Sequence, residues 1–257
     1  MKKFAVLGSG INYTLSPVIH NTVFAALGIN AKYGVEDIPE NAFAKNIPGL
    51  LSCYDGLNVT KPFKKLITQY LETECDAVNT VLCAEKKGFN TDGFGFMRAI
   101  NRLTGESLAG ANVLLLGSGG AAEVAAAELI QAGTNLTVYN RTAEKAVSLA
   151  TKLGCSCEIT SPPDIIINCT SAGLDGVTNP LPIVSLKNLK FAYDLIYLPP
   201  QTPFLAVCGA VDAKAANGLD MLIYQALKAD ELFLQMEIDY KKMFDIVMKK
   251  LTEDALI

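Results

Sequence analysis

A short apolar run at residues 113–116 breaks into glycines and then continues as an alanine-rich helical pattern from Ala121. This pattern predicts a buried strand, a tight turn and the start of a helix. Glycine permits positive φ and lets a bulky anion approach the main chain, while the N–H groups and dipole at a helix N-terminus attract phosphate. The stretch therefore predicts a site for a dinucleotide pyrophosphate, formed by Gly117, Ser118, Gly119, Gly120 and Ala121.

The next predicted strand, residues 135–139, ends on three polar residues at the place where the ribose of a dinucleotide should lie. An acidic residue there would favour a free 2′-hydroxyl group. Asn140, Arg141 and Thr142 stand there instead, and the cation favours a 2′-phosphate. We therefore expect NADP as the cofactor.

Composition limits the classes of protein that remain. The 257 residues favour two domains. Because 50% of the residues are hydrophobic and 19% are charged, disorder is excluded. No apolar run approaches the roughly 18 residues of a membrane span, so we expect no membrane partner. A net charge of −4 without a basic stripe argues against nucleic acid.

The cysteines favour a reducing compartment. Seven is an odd number, in a chain long enough to fold without disulfide bonds, so we expect reduced thiols and a cytoplasmic protein. Cys155 and Cys157 have no second pair at the spacing of metal ligands, so we expect no metal site.

Short predicted strands at residues 4–7, 32–36 and 56–59 alternate with helical stretches, which predicts an α/β fold with a mostly parallel sheet. Ser16 suits the N-cap of the first helix, Pro17 its first turn and Gly28 its end.

The turn-rich stretch 104–110 predicts a domain boundary. We therefore expect a first domain over residues 1–104 and a Rossmann-type domain over 105–219. The amphipathic tail, about 220–257, should pack back on the first domain.

Polar groups that a core does not need cluster at residues 14–17, 58–64 and 90–95, each where a strand gives way to a turn or a helix. In open α/β sheets ligands bind at that end of the strands. The same residues also suit purely structural roles, since Ser16 and Asp92 can cap helices and the lysines can form a solvent-exposed helix face.

The only histidine, His20, has apolar neighbours and is interpreted as structural. Lys64 and Asp92 are therefore the candidates for proton transfer.

Together these motifs make the chain resemble the shikimate 5-dehydrogenase family, NADP-dependent reductases of 3-dehydroshikimate in the biosynthesis of chorismate and aromatic amino acids. The resemblance covers nearly the whole chain. It rests on Ser16-Pro17-Val18-Ile19-His20-Asn21, residues 58–64, Ala77-Val78-Asn79-Thr80, Asn90-Thr91-Asp92-Gly93, the glycine stretch, Asn140-Arg141-Thr142, Asn168-Cys169-Thr170-Ser171, residues 194–199, and Asn217-Gly218 with Gln225.

The resemblance implies two α/β domains facing each other across a cleft, a small cyclohexene carboxylate as substrate, and Lys64 with Asp92 as the catalytic pair. It also implies substrate binding by Thr14, Ser16, Thr60, Asn79, Asp92, Tyr197 and Gln225. The implied cofactor contacts are Gly117 to Ala121, Asn140 to Thr142, Lys145, Ile196 and Gly218.

The chain departs from the family pattern at a few positions. Thr14 stands where the family usually has a serine, so both shikimate and quinate remain open as substrates. A methylenetetrahydrofolate dehydrogenase shares the general architecture, but the Tyr197 stretch and Gln225 favour the shikimate family. A dinucleotide or metabolite sensor on the same fold is the other alternative, and the presence of Lys64 and Asp92 argues against it. We expect a monomer or a homodimer.

Overall fold

The computed structural model describes residues 1–11 and 13–257. In chain order the elements are β1 (Lys2–Gly8), α1 (Ser16–Ala26), β2 (Ala31–Asp37), α2 (Phe43–Cys53), β3 (Gly56–Val59), β4 (Thr80–Leu82), β5 (Lys87–Phe89), α3 (Asp92–Thr104), β6 (Asn112–Leu116), α4 (Gly120–Gln131), β7 (Asn135–Tyr139), α5 (Ala143–Leu153), β8 (Ile165–Asn168), β9 (Phe191–Asp194), α6 (Pro203–Gly209), β10 (Lys214–Ala216), α7 (Leu219–Leu234) and α8 (Tyr240–Glu253).

The chain divides into two compact units. The first unit contains Met1–Gly95 and Ile223–Ile257, and the second unit contains Phe96–Leu222. The division falls nine residues before the boundary expected at residues 104 and 105. Most of α3 belongs to the second unit because its apolar side chains, among them Phe96, Ile100 and Leu103, lie in that unit's core.

The first unit has a mixed five-stranded sheet in the order β2-β1-β3-β4-β5. The expectation of a mostly parallel sheet holds only for β2, β1 and β3, since β4 runs antiparallel to both β3 and β5. A parallel connection needs a long crossover, whereas β4 and β5 are joined by a turn too short for one.

Apolar cores lie beside the strands of this sheet. One core holds Phe43, Ile47 and Phe63, and another holds Phe4 and Phe24 with Phe233 from α7. Each fully buried side chain of this size contributes about 1.5–3 kcal/mol. The helices after residue 222 are therefore part of the first unit's core, as the amphipathic pattern of the tail predicts.

The second unit has a wholly parallel sheet in the order β10-β9-β8-β6-β7. The predicted α/β class, with a Rossmann-type second half, is confirmed. Because the strand order reverses direction at β6, a crevice opens at the carboxyl ends of β6 and its neighbours. The register aligns Leu116, Tyr139, Asn168 and Asp194 in one row at that edge.

One predicted helix cap is wrong. Helix α1 includes Ser16 as its first residue, Leu15 is the flanking residue, and no side chain caps the helix start. The Ser16 N–H group instead donates to the hydroxyl of Thr14 at 3.2 Å. Gly28 does follow the helix end, with φ +67°, as predicted.

All seven cysteines are free thiols. In the part of the chain that the structure describes, the helices are either too short or too polar to cross a bilayer. Among the same residues, no three His, Cys, Asp or Glu side chains are grouped so that they could hold a metal ion.

Candidate active site

Lys64 and Asp92 are brought together in the first unit. Lys64 follows β3, and Asp92 is the first residue of α3. The Lys64 Nζ donates to Asp92 Oδ2 at 2.6 Å, and the two side chains are 28% and 16% exposed. Because both side chains are partly buried, the two charges attract each other more strongly than they would in free solution. Both side chains are also exposed enough for a small molecule to reach them.

The local fold explains where Lys64 lies. The buried ring of Phe63 anchors the turn after β3, and its N–H group donates to the carbonyl of Thr60 at 2.9 Å. The Lys64 carbonyl accepts from the Val78 N–H group at 2.8 Å, which ties this turn to the segment leading into β4. The backbone at Lys64 is thus hydrogen-bonded within its own turn and to the segment that leads into β4.

Asn79 orients the Asp92 carboxylate. Its side-chain Nδ2 donates to Asp92 Oδ1 at 2.8 Å and lies 3.4 Å from Gln225 Oε1 on α7. Its Oδ1 accepts from the Thr91 N–H group and from the Thr80 hydroxyl, both at 2.9 Å. Since those two donors occupy the oxygen, the NH₂ group must face Asp92, and each Asp92 oxygen then has a partner.

Three further residues predicted to bind substrate lie at the starts of loops or helices in the same unit. The Thr14 hydroxyl donates to Ser16 Oγ at 3.1 Å, so the two hydroxyls form one polar group at the start of α1. Thr60 follows β3 directly, and its N–H group donates to the Leu7 carbonyl of β1 at 2.9 Å. These hydroxyls can bind a carboxylate or ring hydroxyls by hydrogen bonds.

Tyr197 lies in the second unit, directly after Ile196 in the turn that follows β9. Ile196 is buried, and its N–H group donates to Asp194 Oδ1 at 3.0 Å. Burial raises the pKa of Asp194, although bonds from Thr202, the Ile196 N–H group and Asn168 oppose that rise. The carboxylate thereby fixes the turn that carries Ile196 and Tyr197.

The glycine stretch forms an open cradle at the carboxyl end of β6. Gly117 has φ +115°, and an added Cβ there would lie 3.1 Å from Thr170 Cγ2, so a side chain is disfavoured on two grounds. Added Cβ atoms at Gly119 and Gly120 would meet nothing within 4 Å. The first N–H groups of α4 have no partner within the helix, so they are available to a phosphate in that open space.

The predicted ribose-phosphate residues lie beside the cradle. Gly117 donates from its N–H group to the Tyr139 carbonyl at 2.7 Å, which joins the glycine turn to the end of β7. Asn140 Nδ2 donates to the Thr142 carbonyl at 3.0 Å and shapes this turn. Arg141 and Lys145 are both exposed. The donors and cations present therefore fit a phosphorylated dinucleotide.

Gly218 has a structural reason to be glycine. A Cβ there would lie 2.1 Å from the Leu195 carbonyl oxygen, far inside contact distance. The Gly218 N–H group also donates to the Ile196 carbonyl at 3.1 Å. The predicted cofactor contact at Gly218 thus belongs to a close backbone crossing between the turn after β9 and the start of α7.

Sequence reasoning gave no role to several buried polar residues near Lys64 and Asp92. Asn58, Thr80 and Thr91 are 7%, 0% and 2% exposed. Asn58 Nδ2 donates to the Asn79 carbonyl at 3.0 Å and to Thr80 Oγ1 at 3.1 Å. The available signal was an amide inside the short apolar strand β3, because an amide in such a strand must find partners inside the protein.

Two surface cavities of about 300 and 380 Å³ lie elsewhere in the second unit. Their linings include the amino ends of β6, β7, β8 and β9, and none of the predicted site residues. Ligands of open parallel sheets bind at the opposite edge, so we assign no function to these cavities.

Two family models match the chain. A model described as the shikimate dehydrogenase substrate binding domain matches residues 6–81, and one described as shikimate / quinate 5-dehydrogenase matches residues 99–179.

Individual proteins match over nearly the full length. The NADP(+) shikimate dehydrogenase of Bacillus cytotoxicus is 34% identical, covering 96% of this chain and 98% of the relative. The corresponding protein of Ignicoccus hospitalis is 33% identical, covering 96% and 99%. The crystal structure of shikimate 5-dehydrogenase from Thermus thermophilus, in complex with NADP(H) and shikimate, superimposes with a TM-score of 0.88 at 32% identity, covering 98% of this chain and 100% of that one.

Proposed function

The chain belongs to the shikimate dehydrogenase family, and we propose that it catalyses the reversible, NADP-dependent reduction of 3-dehydroshikimate to shikimate. The observation that carries this proposal is the Lys64–Asp92 pair, 2.6 Å apart and partly exposed. An ammonium group held beside a carboxylate can give a proton to a ketone oxygen as negative charge develops there.

Lys64 acts as the proton donor in the direction of reduction and as the acceptor in the direction of oxidation. Asp92 has one oxygen on Lys64 and the other on Asn79, so it holds the ammonium in place. When bound, NADPH supplies the hydride that reduces the ring carbon.

The remaining first-unit residues hold the substrate. Asn79 contacts Asp92, Gln225 lies next to Asn79, and both amides can form hydrogen bonds with ring hydroxyls. Thr14, Ser16 and Thr60 offer hydroxyls, and the start of α1 adds its dipole, so a ring carboxylate can be held there without an arginine.

The second unit binds the cofactor. The N–H groups at the start of α4, with Gly119 and Gly120 leaving space, take the pyrophosphate. Arg141, supported by Asn140, Thr142 and Lys145, takes the 2′-phosphate.

Quinate is the alternative substrate, because it differs from shikimate mainly by one added ring hydroxyl and because Thr14 stands at a substrate-binding position. The test is the initial rate of nicotinamide reduction, followed by absorbance, with shikimate and with quinate, each against NADP and NAD. We expect shikimate with NADP to give the highest kcat/KM. A higher kcat/KM with quinate would move the assignment to quinate dehydrogenase, and no turnover of either acid would refute the proposal.

A further inference from the structure

A buried acid–base pair lies in the core of the first unit. His20 on α1 is 1% exposed and Asp230 on α7 is fully buried, and His20 Nδ1 lies 2.6 Å from Asp230 Oδ1. Burial raises the pKa of Asp230, while the neighbouring His20 opposes that rise. Among the described residues, neither His20 Nε2 nor Asp230 Oδ2 has a hydrogen-bond partner. Such a pair is weak evidence for stability, since its desolvation can cost more than its attraction returns.

The pair faces Tyr33 of β2. The imidazole and phenol rings are stacked with centroids 4.0 Å apart and an angle of 9° between planes. Burial, with the Asp230 charge as a further cause, raises the pKa of Tyr33 well above its usual range. The Tyr33 hydroxyl therefore keeps its proton, and it donates to Asn58 Oδ1 at 2.6 Å.

From Tyr33 a series of hydrogen bonds runs to Asp92 and Lys64, and backbone groups of Asn79 and Thr91 support it on the way. Asn58 Oδ1 accepts from Tyr33, so its Nδ2 turns to Thr80 Oγ1 at 3.1 Å. Thr80 then donates to Asn79 Oδ1 at 2.9 Å. Asn79 consequently directs its Nδ2 to Asp92 at 2.8 Å, and Asp92 meets Lys64.

We propose that Tyr33, backed by the buried His20–Asp230 pair, is a positioning residue for the reaction, acting through Asn58, Thr80 and Asn79 to fix the Asp92 carboxylate and the Lys64 ammonium. The proposal rests on the assignment of Lys64 and Asp92 as the reacting pair. Tyr33 contacts none of the reacting groups, so its effect must pass through the hydrogen bonds of Asn58, Thr80 and Asn79. An amide such as Asn79 has two orientations of similar shape, and the Thr80 hydroxyl at the end of this series, together with the Thr91 N–H group, holds the one in which Asn79 donates to Asp92.

The first test is Tyr33→Phe, which keeps the stacked ring and removes the hydroxyl. We expect kcat to fall about two- to tenfold, the rate equivalent of one hydrogen bond between neutral groups, with binding of NADP unchanged. The matched control is Tyr54→Phe, which removes another tyrosine hydroxyl of the first unit. The Tyr54 hydroxyl donates to Glu36, and neither residue belongs to the hydrogen-bond series that starts at Tyr33. A kcat for Tyr33→Phe equal to that of Tyr54→Phe would overturn the proposal.

The second test concerns the pair behind Tyr33. Asp230→Leu removes the partner of His20, whereas Asp230→Asn retains an oxygen that can accept from the imidazole. We expect Asp230→Leu to lower kcat as far as Tyr33→Phe does, and Asp230→Asn to restore most of the loss. Because both act through one path, the double variant Tyr33→Phe with Asp230→Leu should be no slower than Tyr33→Phe alone. Losses that multiply, or a lower melting temperature with unchanged kcat, would show that the pair is only structural.

The third test needs no turnover, so it separates this proposal from the proposed function. The side-chain amide signal of Asn79 in a ¹H–¹⁵N spectrum, assigned by its loss in Asn79→Ala, should shift in Tyr33→Phe and stay in place in Tyr54→Phe. If the wild-type protein turned over no shikimate, the proposed function would be refuted. The spectrum would still show whether the Tyr33 hydroxyl acts on Asn79 through the hydrogen bonds between them. An Asn79 signal at the same position in Tyr33→Phe as in the wild type would overturn the positioning role.

Discussion

The two oxygens of Asp92 accept hydrogen bonds from two different side chains, and this explains why so many polar residues surround it. One oxygen holds Lys64, and the other accepts from Asn79. A carboxylate with one free oxygen could rotate, and a displacement of about 1 Å can cost roughly 10²-fold in rate. In the proposed mechanism the buried bonds to Asn79 therefore serve to hold the Asp92 carboxylate in place.

Sequence motifs identified Lys64 and Asp92 as candidates for proton transfer, because each lies in a short recognisable stretch that follows a strand. They could not assign a role to Asn58, Thr80 or Tyr33. The bond from Tyr33 to Asn58 joins residues 25 apart, and the bond from Asn58 to Thr80 joins residues 22 apart. Such contacts depend on the sheet register, which a local pattern does not contain.

The cofactor preference can be tested at a single side chain. Arg141 is exposed just after the end of β7, and neither of its chain neighbours, Asn140 and Thr142, carries an acidic group. A charge-assisted hydrogen bond is worth about 1.5–3 kcal/mol, so Arg141→Leu should reduce kcat/KM for NADP on the order of ten- to a hundredfold and leave that for NAD nearly unchanged. Equal losses with both cofactors would show that Arg141 supports the fold rather than the 2′-phosphate.

The strands differ in how well their sequences predict them. The strands at residues 56–59 and 135–139 were predicted with the bounds that the structure shows, because each is a short run rich in apolar residues with a turn or loop on either side. No bounds were predicted for the strands β4, β5 and β10. Each has three residues, too few for an alternating pattern to stand out from a turn.

The end of β9 gives a prediction about pH. Asp194 has a pKa raised by burial above its usual 3.8, so between those two values the folded state binds more protons than the unfolded state. Stability contributed by this group is therefore lost as pH rises through that window. The urea-unfolding free energy of the wild type should fall relative to that of Asp194→Asn as pH rises from about 4 to neutrality.

The control for this measurement is Asp212→Asn, which changes an exposed carboxylate in the same unit. The Asp194→Asn difference should change across the pH range by more than any change seen with this surface substitution. A constant difference for Asp194→Asn as well would mean that Asp194 has the same pKa in the folded and unfolded states.

The division of the chain into units follows from where its apolar side chains are buried. The chain leaves the first unit within α3 and returns within α7, and Phe233 and Phe244 then fill the first unit's core. Amphipathic spacing predicted that the tail would pack on the first unit. The spacing could not show that α3 belongs mostly to the second unit, since its apolar face would suit either core.

Burial across both units also predicts which thiols react. Burial raises the pKa of Cys83 in the first unit and of Cys208 in the second to about 12, so almost no thiolate forms there at neutral pH. Cys53 is exposed. Brief treatment of the native protein with iodoacetamide should therefore alkylate Cys53 before Cys83 or Cys208, as read by peptide mass spectrometry.

Unfolding in urea should abolish that order and expose all seven thiols. Alkylation of Cys83 or Cys208 as fast as that of Cys53 in the native protein would mean that the cores open on the labelling time scale.

The role of Lys64 is tested by the turnover of Lys64→Ala with 3-dehydroshikimate and NADPH, measured on folded protein that still binds the cofactor. A positioned acid or base is worth about 10²–10⁴ in rate, so kcat should fall by that factor while NADP binding is unchanged. Lys65→Ala is the matched control, because Lys65 is the adjacent, exposed lysine, and it should keep nearly the full rate. A Lys64→Ala protein with near wild-type kcat would contradict the mechanism and show that Lys61, Lys65 or a water molecule delivers the proton.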